Sequence, residues 1–83
     1  MGKRKLKLVI DYIQAHLTEE ITLAQMAKIA DLSPFHFSRI FKESVGVSPN
    51  RYVNHCRVEK AKRLLQQQQI SINQISAACG YRN

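Results

Sequence analysis

Between Leu6 and Leu17 the apolar residues Val9, Ile13 and Leu17 recur at every fourth position, flanked by Leu6 and Tyr12. That period belongs to an amphipathic helix, because residues three and four apart share a face. Glu19 and Glu20 interrupt the stripe, so a first helix is predicted over 6–17. Thr22 then stands as an N-cap, its hydroxyl placed to take a free amide of the next turn, before Leu23, Met26, Ala27 and Ala30. The second helix is short.

Asp31 and Leu32 carry no helical pattern of their own. Ser33 and Pro34 supply a cap and a first-turn proline, whose missing N–H is no loss at that position. In the third helix, predicted over 34–45, Phe37, Ile40, Phe41 and Ser44 share one face, while Phe35, Ser38, Arg39 and Lys42 fall largely away from it. Gly46 offers the left-handed residue that ends helices. Ser48 and Pro49 repeat the cap-plus-proline signal and open a longer helix, 49–67. Its buried stripe is Tyr52, Val53, Cys56, Ala61, Leu64 and Leu65, with Arg51, Lys60, Lys62 and Arg63 mostly elsewhere. Ser71 caps a fifth helix through Ile72, Ile75, Ala78 and Cys79.

Laying the segment from Ser71 on the segment from Thr22, a shift of 49 positions, shows an internal repeat. Thr22 meets Ser71, Leu23 meets Ile72, Gln25 meets Gln74, Met26 meets Ile75 and Ala30 meets Cys79. Asn83 falls opposite Pro34, where a second capped helix is due. The expected fold is all-α: a helix-turn-helix unit, a long connecting helix, and the first helix of an incomplete second helix-turn-helix.

Two short helices joined by a tight turn, with Ala27 and Ala30 as small residues at the crossing, let the second helix stand proud while the first braces it. A helix fits the major groove of B-form DNA, and the amino-terminal half of such a helix does most of the base reading. Here that half runs from Pro34 to Lys42. Arg39 is the first candidate for a base contact, since a guanidinium bonds a guanine edge in a bidentate way worth about 1–3 kcal/mol of discrimination; its competing reading is a surface pair with Glu43. Phe35 either meets a thymine methyl or packs against the second or fourth helix. Ser38 is the third base-contacting candidate, and also an ordinary solvent-facing serine.

Phosphate contacts are assigned to Ser33 and Pro34, which open the helix where free N–H groups face an anion, to His36, and to Lys42. Capping alone explains Ser33 equally well, and a lone helical histidine is usually silent. His16 and His55 are assigned packing roles. Arg57 lies close to the apolar stripe of the fourth helix, so its stem packs inward while its head bonds a carboxylate or a helix carboxyl end.

Charge strengthens the nucleic-acid reading. Thirteen Lys plus Arg against six Asp plus Glu leave +7 on 83 residues, a balance that favours a polyanionic partner. Lys3, Arg4, Lys5 and Lys7 form the densest run, read either as a solvated helix start or as a phosphate-touching arm. Cys56 and Cys79 have no second cysteine or histidine at metal spacing, so reduced core thiols are expected, with no metal and no cofactor. No paired acids, nucleophile–base set or glycine-rich phosphate loop is present, and no enzyme is expected. No apolar run approaches the ~20 residues of a membrane span; a cytoplasmic protein is the expectation.

The stretch Ser33-Pro-Phe-His-Phe-Ser-Arg-Ile-Phe-Lys42, followed by Val45-Gly-Val-Ser-Pro49 and Tyr52, resembles the AraC/XylS family of bacterial transcription regulators. The resemblance continues through Arg57, Ala61, Leu64 and Leu65, and through Ile72, Ile75, Ala78, Gly80 and Tyr81. It implies one DNA-binding domain over 1–83: a first helix-turn-helix at 22–46, a connecting helix at 49–67, and the start of a truncated second unit at 71–83. It further implies double-stranded DNA as partner, with Phe35, Ser38 and Arg39 facing bases. The connecting helix becomes a spacer holding two reading units ~34 Å apart, and the regulator often an activator that also contacts RNA polymerase.

The sequence departs from the family at Asp31, where glycine is often found; aspartate enters left-handed conformations more readily than most residues. It also lacks the second recognition helix and the closing helix. Without them Ile72, Ile75 and the end of the fourth helix lose their cover, so self-association, or weaker order after about Gln69, is expected. The competing function is a protein-interaction module of a shortened regulator, pairing with RNA polymerase or a full-length homologue without productive DNA binding. An unrelated TetR-like head explains Thr22 to Lys42 but neither the capped fourth helix nor the repeat.

Overall fold

Four helices make up the computed structural model, which describes residues 1–66: α1 (Lys3–Ala15), α2 (Leu23–Ile29), α3 (Pro34–Val45) and α4 (Pro49–Gln66). No strand occurs among these residues, and the fold is all-α. The predicted fifth helix, the second half of the repeat, Cys79, and the expectations for order and self-association after Gln69 lie outside the described residues. None of the described helices is long and apolar enough to cross a membrane.

The local punctuation follows from side chains. Thr22 Oγ1 accepts from the Gln25 amide at 3.1 Å while Gln25 Oε1 accepts from the Thr22 amide at 2.8 Å, a reciprocal capping box that fixes the start of α2. Ser33 Oγ accepts from the His36 amide at 3.2 Å, and Ser48 Oγ from the Arg51 amide at 3.3 Å. Gly46 closes α3 at φ 93, its N–H bonded to the Lys42 carbonyl at 2.8 Å.

The first helix differs from the expected 6–17 at both ends. It begins at Lys3, because lysine and arginine are good helix formers and nothing after Gly2 breaks the run. It ends at Ala15 because the His16 ring intervenes. His16 Nδ1 donates to the Tyr12 carbonyl at 2.8 Å, the acceptor a further helical turn would have used, and the His16 N–H bonds Ile13 instead at 3.2 Å. The imidazole also stacks on Tyr12, centroids 4.2 Å apart, so His16 does pack. His55 is exposed, contrary to its assigned packing role.

Between α2 and α3 the chain turns through a full Schellman arrangement. The Leu32 N–H bonds the Ala27 carbonyl at 3.0 Å and the Asp31 N–H bonds Lys28 at 3.1 Å. Asp31, at φ 57, occupies the left-handed position that glycine usually fills. Side chains strain that conformation by about 1–2 kcal/mol, least for Asp and Asn. Asp31→Gly is therefore expected to hold or raise the urea midpoint, and Asp31→Val to cost about 1–2 kcal/mol. Equal midpoints for the glycine and valine variants would remove the strain argument.

The core is one cluster drawn from every helix: Val9, Ile13 and Leu17; Met26, Ala27 and Ala30; Phe37 and Phe41; Val53 and Cys56. The small side chains of Ala27 and Ala30, both 1% exposed, let α2 approach α3 closely. Phe37 and Phe41 are tilted at 5.5 Å, and Tyr52 meets Phe41 edge-on at 5.6 Å. Burial and the neighbouring Cys56 thiol push the Tyr52 phenol above its usual range, and Gln14 donates an amide hydrogen to Cys56 Sγ at 3.3 Å.

In α4 the predicted stripe is buried only in its first half. Val53 and Cys56 join the cluster, Ala61 and Leu64 are half-buried, and Leu65 is exposed. Ser44, placed with the core face of α3, is exposed as well.

Candidate nucleic-acid interface

The chemistry of α3 is set by how its two faces are divided. Phe37 and Phe41 are wholly buried and Ile40 is half-buried, which locks the helix onto α2 and α4. At ~100° per residue the opposite face centres on Arg39, with Phe35 and Lys42 to one side and His36 and Glu43 to the other. All five are exposed.

Phe35 is 80% exposed, so it packs against neither α2 nor α4. Arg39 forms no pair with Glu43: among the described residues the ion pairs are Lys5–Asp31, His16–Glu19 and Lys62–Glu59. Ser38 lies half-buried on the flank of the face, less accessible than Phe35 and Arg39. Ser33 and Pro34 are exposed at the helix start, with the Ser33 hydroxyl committed to its cap. Lys42 is exposed one turn beyond Ser38. The structure thus brings Phe35, His36, Arg39 and Lys42 onto one accessible surface and leaves Ser38 at its margin.

Lys28 was not singled out from sequence. It lines a shallow groove with Ala24, Asp31, Leu32, Ser33 and Pro34, beside the start of α3. A lysine in the last turn of a helix that ends one tight turn before a capped helix was the available signal.

Behind this surface, α4 is tied to the loop between α1 and α2. Arg57 Nε donates to the Leu17 carbonyl at 3.1 Å and its Nη2 to the Glu19 carbonyl at 2.9 Å. The head is bonded as expected, but to carbonyls of the loop past the end of α1 and not to a carboxylate or to the helix end itself. The loop feeding α2 is thereby tied to α4.

A family described as a helix-turn-helix domain matches residues 26–83. The HTH-type transcriptional regulator YobQ of Bacillus subtilis is 36% identical over 74 residues, covering 89% of this chain; the chain spans 31% of that relative's length. A transcriptional regulator of Chromobacterium violaceum with an AraC-type DNA-binding domain superposes with a TM-score of 0.87 at 31% identity, over 98% of this chain and 72% of that one. The DNA-binding domain of AdpA, crystallised with a target DNA, superposes with a TM-score of 0.88 at 29% identity, over 95% of this chain and 71% of its own. With its capped helix-turn-helix at residues 22–46 and these likenesses over nearly all its length, the chain belongs to the AraC-type helix-turn-helix family of transcription regulators.

Proposed function

We propose that the chain binds double-stranded DNA sequence-specifically as part of a bacterial transcription regulator, with α3 in the major groove. The observation that carries this reading is the division of α3, Phe37 and Phe41 wholly buried on one face and Phe35 80% exposed on the other. Held in water beside Arg39, the Phe35 ring takes no part in the core of this fold. Against DNA it gains a thymine methyl to cover, while Arg39 gains a guanine edge. Ser38 reads a base from the flank. Ser33, Pro34 and His36 at the helix start and Lys42 further along meet phosphates, which fix orientation without carrying sequence information.

The AdpA domain in complex with DNA supports the reading through its shape. The reading places the chain in the cytoplasm, and the family resemblance supports RNA polymerase as a further partner.

Titration onto duplex pools at several salt concentrations tests it. A steep salt slope with enrichment of one short motif is expected. Binding without enrichment would leave the protein-interaction reading. Arg39→Ala should relax selection at one or two base pairs by about 1–3 kcal/mol, whereas Lys42→Ala should weaken all sequences alike. Equal, sequence-blind losses from both would refute the division of roles.

A further inference from the structure

We propose that Arg4 and Lys5, in the first turn of α1, contact the DNA phosphate backbone on the wall of the major groove opposite Lys42. The inference rests on the reading of α3 as the groove-entering helix.

Placement is the first argument. Met1, Gly2, Arg4 and Lys5 close over Ala30, Leu32 and Ile40 around a shallow hollow, so the start of α1 lies against the Ile40 edge of α3. Lys5 Nζ stands 3.8 Å from Asp31 Oδ2, with both side chains exposed, at the turn that delivers α3. On α3, Ile40 and Lys42 are ~200° apart around the axis, which puts them on opposite edges with Arg39 between them. A helix with its side chains is ~10–12 Å across and the major groove ~12 Å wide, so the two edges of an inserted helix face the two rows of phosphates. Lys42 serves one row and the start of α1 the other.

The start of α1 also departs from the charge preference of helix ends. The amino-terminal end of a helix carries partial positive charge and favours acidic residues. None of the four described helices has an acid in its first turn, and α1 goes further: Lys3, Arg4, Lys5 and Lys7 crowd its positive end, where Gly2 offers no capping side chain. This arrangement works against helix stability, and departures of this kind cluster where function requires them. The surface is basic where the start of α1 lies beside Ile40 of the recognition helix.

The test compares two charge-matched variants of the chain by fluorescence anisotropy on the motif that the unmodified chain selects. In Arg4→Gln/Lys5→Gln the slope of log affinity against log salt should fall by about 2, near 0.9 for each phosphate contact, with the selected motif unchanged. In Lys62→Gln/Arg63→Gln, on the exposed far half of α4, the slope should change by less than half as much. Glutamine forms helices about as well as lysine and arginine, and unchanged urea midpoints verify the fold. An unaltered slope in the α1 variant, or equal falls in both variants, overturns the proposal while leaving the α3 reading intact. Failure of the unmodified chain to select any motif overturns both.

Discussion

Phe41→Ala is expected to cost about 3–5 kcal/mol, the usual penalty for emptying a buried phenylalanine site. Phe41 is 0% exposed and touches Phe37 on its own helix and Tyr52 on α4. The space it leaves is walled by side chains of α3 and α4, whose caps and turns fix them separately, so it has little freedom to collapse. Small domains are stable by only about 0.05–0.15 kcal/mol per residue, which makes this loss comparable with the whole stability of the chain. Urea unfolding followed by far-ultraviolet circular dichroism should show the midpoint moved far toward zero denaturant at 25 °C. Phe41→Leu, which keeps an apolar side chain in the site, should fall between the two. A midpoint unchanged in Phe41→Ala would mean that α3 and α4 are not held together through this ring.

Arg57→Ala is expected to cost about 3 kcal/mol, the low end for two hydrogen bonds from a charged donor. The bonds to Leu17 and Glu19 join segments 40 and 38 residues apart, and they satisfy carbonyls of a loop that has few backbone partners of its own. Arg57→Lys should recover little, because an ammonium lacks the planar fork that reaches two carbonyls at once. Hydrogen exchange of the loop amides should accelerate in both variants. Full recovery by lysine would show that charge, and not the fork, holds the loop.

Much of this architecture was legible because its punctuation is chemical. Thr22, Ser33, Pro34, Gly46, Ser48 and Pro49 act through bonds within their own turn, which a reader of sequence sees at once. The inner and outer faces of α3 were equally readable, since period alone separates Phe37 and Phe41 from Phe35 and Arg39. What escaped depends on contacts between distant segments. The end of α1 is decided by where the His16 ring turns, and periodicity carried Leu17 past the true terminus; Leu17 is still buried, at 3%, but from the loop. In α4 the same periodicity extended the stripe through Leu65, because spacing defines a face without supplying something to cover it. The run Lys3 to Lys7 had two readings, since a charge run says nothing of which element its helix start will rest against. That the start rests beside Asp31 and Ile40 is a product of packing.

Arg57 also divides α4 mechanically. Val53 and Cys56 are its last members of the buried cluster, and among the described residues nothing beyond Arg57 joins it. Among the described residues, Val58 to Gln66 extend ~14 Å past Arg57 without joining that cluster. A tilt of about 10° at the clamp moves their far end by ~2 Å, given a rise of ~1.5 Å per residue. The axis of α4 up to Gln66 is therefore referenced to the loop at Leu17 and Glu19, two helices away in the sequence, and a loosened clamp becomes an error in aim.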